Sequence, residues 1–107
     1  MRIDIKATKL ELSEEIKVYI QKKMDMMERY LGKIQVLNCH VEVGVTVGGQ
    51  QSGQIYRAEV NLDLPGELLR VERTATDIFK AIDKVKDHLV DQIKRYKEKK
   101  IDRKRKG

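Results

Sequence analysis

LNCHVEVGVTV, residues 37–47, places Leu37, Cys39, Val41, Val43, Val45 and Val47 on one side of an extended chain, with Asn38, His40, Glu42, Gly44 and Thr46 on the other. A period of two is that of a strand with one apolar and one polar face. The fold must therefore contain a sheet that buries only one side, and the neighbouring segments decide what covers it.

Toward the C-terminus, GGQQSG at 48–53 reads as a turn, after which Tyr56, Ala58, Val60, Leu62 and Leu64 alternate with Arg57, Glu59, Asn61 and Asp63. The two strands are expected to pair as a hairpin. Pro65-Gly66 suits the centre of a type II turn, because Pro fixes the first torsion and Gly accepts the positive one. The strand ELLRVERT follows at 67–74. Toward the N-terminus, RIDIKA at 2–7 alternates in the same way and supplies a further strand.

Two helices complete the chain. Ser13 is placed as an N-cap, with Glu14 and Glu15 in the first turn, where the helix dipole favours negative charge. The helix is expected over 14–31, burying Ile16, Tyr19, Ile20, Met24, Met27, Tyr30 and Leu31, with Gly32 as a left-handed C-terminal cap. A second helix, starting near Thr76 or Asp77 and running toward residue 100, carries Ile78, Ile82, Val85, Leu89, Ile93 and Tyr96 along one stripe. The order is β-α-β-β-β-α. A right-handed crossover lets the first two strands lie parallel, and both helices then cover one face of a four-stranded sheet. The fold class is α+β.

A chain of 107 residues with 40% apolar and 37% charged side chains supports one compact domain. No apolar run approaches a membrane span, and MRIDIKATK lacks the layout of a secretion signal, so a cytoplasmic location without membrane contact is expected. The one cysteine, Cys39, has no partner for an internal disulfide.

Charge is distributed unevenly. Residues 94–107, KRYKEKKIDRKRKG, hold nine Lys/Arg against two Asp/Glu, a net of +7, whereas the whole chain carries +6. The domain is accordingly divided into a body at 1–100 and a basic tail at 101–107. The open sheet face would show Lys6, His40, Glu42, Arg57, Glu59, Arg70 and Glu72 without an aromatic ring, which argues against base stacking there. On the second helix Lys80, Lys84, His88 and Arg95 fall within about 80° of one another by the 3.6-residue period. On the first helix Lys22 and Arg29 share a flank, with Lys23 and Lys33 nearer the core edge. A solvated helix face is the plain reading of these positions, but the density of cations in the tail points to phosphate contact.

Catalysis finds no support in the residues. Cys39 and His40 are adjacent in a strand and point to opposite faces, so they cannot form a thiolate-imidazole pair. Asp83, Asp87 and Asp91 recur every four residues, but a hard-ion site needs oxygens converging from a loop or several elements, and a solvated stripe is expected instead. No Gly-rich phosphate loop precedes a helix. No enzyme activity, metal, cofactor or small-molecule substrate is expected.

LELSEEIKVYIQKKMDMMERYLGKI at 10–34, the Pro-Gly turn into ELLRVE, and DIFKAIDKVKDHLVDQIKRYKEK at 77–99 together resemble the ribosome hibernation promoting factors, also called ribosome-associated translation inhibitors. The most specific part is the pattern Asp77, Phe79, Ala81, Ile82 and Asp83. The resemblance implies a layout similar to double-stranded RNA-binding domains and a seat in the mRNA and tRNA channel of the small ribosomal subunit, where occupancy stops translation under stress or in stationary phase. It also implies contact with ribosomal RNA phosphates through Lys22, Lys23, Arg29, Lys33, Lys80, Lys84, Arg95, Lys97 and Lys99. His88 and the distal cations Lys100, Arg103, Lys104 and Arg105 extend that set.

Met26, His88 and Asp91 stand where relatives often carry cations, so the tail is expected to supply attraction that the helices supply elsewhere. The chain looks like the short form, without the second domain of long members or the acidic tail of the inhibitor branch. Similar short forms act beside a separate ribosome modulation factor, which is therefore a candidate partner. Two other readings stand beside this one: a protein-interaction module using the sheet face or an edge strand, and a general binder of double-stranded RNA.

Overall fold

The computed structural model describes residues 1–46 and 53–106, with side chains through Ile101. The turn expected at 48–53 lies outside the described residues except for Gly53. The elements are β1 (Asp4–Thr8), α1 (Glu14–Glu28), β2 (Asn38–Thr46), β3 (Ile55–Leu64), β4 (Glu67–Ala75) and α2 (Ile78–Lys106). They form one sheet in the order β1-β2-β3-β4. β1 pairs parallel with β2, and the other two pairings are antiparallel. The α+β architecture is the one the hydrophobic periods predict.

Local chemistry sets most of the boundaries. Ser13 is extended (φ −75°, ψ 161°), and its Oγ accepts the Ile16 N–H at 3.2 Å, satisfying a backbone donor that the first turn leaves unpaired. Asp77 does the same for α2, accepting the Phe79 N–H at 2.7 Å. Gly66 takes φ +82° in the two-residue turn joining β3 to β4. α2 continues past the expected residue 100 to Lys106, since KEKKIDRKRK contains neither Gly nor Pro and is rich in helix formers. At about 1.5 Å per residue its length is about 43 Å, which accounts for most of the 54 Å long axis of the molecule.

Three expectations are corrected. α1 ends at Glu28 rather than 31, and turns occupy 29–33, with Gly32 at φ +60°. The 3.6-residue phase is lost there, so Tyr30 leaves the buried stripe and is 44% exposed, while Leu31 is turned back into the core. Leu37 precedes β2 and is 50% exposed, its N–H bonded to the Asp63 carbonyl at 2.8 Å. Asp83 is not part of a solvated acidic row, because its carboxylate accepts the Tyr19 hydroxyl at 2.7 Å and lies 3.2 Å from the Lys23 ammonium.

One contiguous core contains Ile16, Ile20, Met24 and Met27 from α1, Val41, Val60, Leu62 and Val71 from the sheet, and Ile82, Val85, Leu89 and Ile93 from α2. The opposite sheet face is a plate of ion pairs. Arg57 sits at its centre, bonded to Glu42 at 2.8 Å and Glu72 at 2.6 Å, with Glu59 at 3.5 Å. Arg70 also holds Glu59, at 2.9 Å, and Lys6 lies 3.9 Å from Glu42. Arg57 holds the Glu42 carboxyl below the usual carboxylate range, and in return its own guanidinium is held more firmly protonated. The charges on this face largely neutralise one another.

A candidate nucleic-acid interface on the helices

Because the sheet face is paired within itself, the surface left for an anionic partner is the outer side of the two helices. Lys22 on α1 and Arg29 directly after it lie exposed and border a shallow depression with Val18 and Met26. Lys80, Lys84, His88 and Arg95 are exposed along α2. Lys33 is exposed in the turns after α1, beside a groove that Lys97 and Lys100 also line. Arg95 and Lys99 border a second depression against β4. Among the described residues, Lys22, Arg29, Lys33, Lys80 and Arg95 form no ion pair. Arg103, Lys104 and Arg105 continue on the α2 backbone, and their side chains lie outside the described residues.

Other cations in the set are engaged within the protein. Lys23 is only 17% exposed; its ammonium lies 3.2 Å from Asp83 and 5.2 Å from the Tyr19 ring centroid. The Tyr19 hydroxyl donates to the same carboxylate at 2.7 Å, and its ring meets Phe79 edge-on at 4.9 Å. Asp83 thus joins α1 to α2. Each i,i+4 step along a helix drifts about 40°, so Asp83 faces α1 whereas Asp87 and Asp91 face solvent. The hydrogen bond to Asp83 pushes the Tyr19 hydroxyl up to about 12, because that bond is made only by the protonated phenol.

Lys97 plays a related part. Its ammonium donates to the Tyr30 carbonyl at 2.7 Å. The Met27 and Glu28 carbonyls at the end of α1 already accept the Tyr30 and Leu31 N–H groups at 3.0 and 2.9 Å, so this cation from α2 pins the turn beyond the helix, near the negative dipole end of an α1 that has no basic residue in its own last turn. Lys84 reaches the Thr74 carbonyl at 3.3 Å, Lys99 lies 3.8 Å from Glu67, and Lys100 lies over the Tyr96 ring at 5.0 Å. Sequence reasoning passed over Lys94, whose ammonium lies 5.5 Å from the centroid of exposed Tyr30. Only its i,i+3 and i,i+4 neighbours were legible, and the contact is made between α2 and the turn after α1.

Among the described residues no three His, Cys, Asp or Glu side chains cluster as metal ligands, and no helix is long and apolar enough to cross a membrane. Burial pushes the Cys39 thiol up to about 11, with Asp4 and Glu28 adding to the effect, so it is a poor nucleophile.

These features define a small α+β binding domain: one sheet face closed by ion pairs, the other roofed by two helices with cationic outer flanks. The chain belongs to the Sigma 54 modulation protein / S30EA ribosomal protein family, matching it over residues 3–101. This is a family of ribosome-associated, non-enzymatic proteins, in keeping with the resemblance read from the sequence.

The ribosome hibernation promotion factor of Deinococcus radiodurans is 30% identical over 89 residues, covering 82% of this chain and 44% of the relative. That of Staphylococcus aureus is 28% identical over 97 residues, covering 91% and 48%. The chain therefore spans about half the length of these curated relatives. The crystal structure of the Thermus thermophilus Protein Y N-terminal domain superposes with TM-score 0.71 at 33% identity, covering 90% of this chain and 99% of that one. A ribosomal subunit interface protein from Coxiella burnetii superposes with TM-score 0.71 at 20% identity, covering 92% and 99%, and attests the shared fold.

Proposed function

We propose that this chain is a ribosome hibernation factor that acts in the cytoplasm by occupying the mRNA and tRNA channel of the small ribosomal subunit, stopping translation by exclusion. The observation that carries the reading is the separation of charge: Glu42, Glu59 and Glu72 of the sheet face are held in ion pairs, whereas Lys22, Arg29, Lys80 and Arg95, on the helices or at the end of α1, form no ion pair among the described residues. Two relatives named as ribosome hibernation promotion factors support it.

Phosphate contacts from such cations orient a protein on folded RNA without reading bases, so shape supplies the specificity. Lys23 and Lys97 take a structural part in this reading, holding the two helices together. The cations beyond residue 100, carried on the continuing α2 backbone, add long-range attraction. A ribosome modulation factor is a candidate helper where ribosomes pair.

Co-sedimentation with purified small subunits, with and without added tRNA, tests the proposal. Retention that tRNA displaces is expected; retention indifferent to a large excess of tRNA would place the protein elsewhere on the particle.

A further inference from the structure

Tyr30 is an aromatic side chain left in solvent, although burying a ring of its size is ordinarily favourable. Of the other Tyr and Phe rings among the described residues, Tyr96 is buried and Tyr19, Tyr56 and Phe79 are half-buried. Tyr30 is also surrounded by cations. Lys94 lies 5.5 Å from its ring centroid, Lys97 holds its carbonyl at 2.7 Å, and Arg29 is its exposed chain neighbour. Immediately beyond, Leu31, Gly32 and Lys33 turn into the groove that Lys97, Lys100 and Ile101 close from α2.

A ring 44% exposed next to a cation-lined groove matches the two halves of a nucleotide: a π-face for the base and positive charge for its phosphate. Along the outer flanks of the helices the Tyr and Phe rings, Tyr19 and Phe79, are half-buried, and the imidazole of His88 is the exposed ring there among the described residues, with no cation-lined groove beside it.

We infer that the junction between the end of α1 and the C-terminal half of α2 binds one unpaired nucleotide of an RNA strand, with its base stacked on Tyr30 and its phosphate held in the groove by Lys33 and Lys100. The inference rests on the ribosomal RNA reading above and adds to it a contact with a base. Lys94 fixes the ring from one side, and Lys97 fixes the backbone that carries it, so the platform is set before the base arrives. A duplex offers no such base, which separates this site from one that follows only an A-form backbone.

The test uses the full chain at low salt with three probes: a hexamer of riboadenylate, an abasic hexamer of equal charge, and a short RNA duplex. Proton NMR of the Tyr30 ring should show an upfield ring-current shift with the adenylate strand and none with the abasic one. Tyr30→Leu should weaken adenylate binding by about 5- to 160-fold and leave abasic binding unchanged, while Tyr30→Phe retains wild-type affinity. Lys33→Gln with Lys100→Gln should weaken both single strands.

Equal affinity for abasic and adenylate strands, an unshifted ring, or a Tyr30→Leu protein that binds as wild type would each overturn the site. The shift on the wild-type ring decides the matter even if a variant fails to fold. A parallel arm with small subunits separates the two claims. Wild-type retention with no loss in Tyr30→Leu removes the stack and leaves the ribosomal reading, whereas no wild-type retention removes that reading while the oligonucleotides still decide the stack.

Discussion

Gly44 offers a perturbation whose sign follows from geometry. It lies opposite Thr8 in the parallel β1–β2 pairing, and a Cβ built on it would stand 2.6 Å from the Thr8 carbonyl oxygen. Its φ is not positive, so alanine meets no torsional penalty; relief of unfolded-chain entropy alone would stabilise Gly44→Ala by about 0.4–1 kcal/mol. The close approach opposes this. The obstacle is backbone, not the end of a flexible side chain, so edge strand β1 must withdraw by about 0.8 Å or more to restore ordinary contact, loosening the end of its ladder. Overpacking of this kind costs about 1–3 kcal/mol, leaving a net destabilisation of about 1–2 kcal/mol. For a domain of this size that corresponds to a fall in Tm of roughly 4–10 °C. Differential scanning calorimetry reads it directly. A Tm equal to or above wild type would refute a close approach of β1 to Gly44.

Arg57→Ala should destabilise the fold by about 1–2 kcal/mol in chemical denaturation, because it leaves Glu42, Glu59 and Glu72 facing one another without their shared cation. Arg57 holds the Glu42 carboxyl down, so that contribution is complete above the ordinary carboxylate pKa and is lost as pH falls through the lower folded value; wild type and variant should converge in stability at the acid end. Tyr19 has the opposite dependence: its folded pKa is raised to about 12, so its contribution is complete below pH 10 and is lost as pH climbs through 12. Ultraviolet titration should show the Tyr19 phenol ionising late, and Asp83→Asn should lower its midpoint. Cys39, buried and raised to about 11, should react with a disulfide reagent at pH 8 only as fast as the domain opens, and at once in denaturant; rapid labelling of the folded protein would contradict its burial.

What the sequence made legible follows from which contacts are local. The Val41-Val43 alternation and the stripe of Ile78, Ile82, Val85, Leu89 and Ile93 depend only on chain period and backbone geometry, and both appear as expected. The exposure of Tyr30 did not follow, because α1 ends at Glu28 and the turns beyond it rotate the ring out of phase. The tie of Asp83 to Tyr19 and Lys23, and that of Lys97 to the Tyr30 carbonyl, depend on how two helices sit side by side, which neither helix encodes alone. Gly44 looked like one more residue on the polar face; its need for a missing side chain comes from a strand more than thirty positions away. The outer cations of the candidate interface were legible as a face, but which of them the fold uses internally was not.

If unpaired cations at the helices engage the phosphates of a ribosomal cleft, the affinity for small subunits must fall steeply across a salt series. A protein making about 6–10 phosphate contacts should lose roughly 10³–10⁵ in affinity between 50 and 200 mM salt, along a straight line of log K against log salt. Replacing Lys22, Arg29, Lys80 and Arg95 with Gln together should lower the slope by about 3, at roughly 0.7–0.9 per contact. A slope unaltered by those four changes, or no retention of the wild type in dilute buffer, would contradict the account.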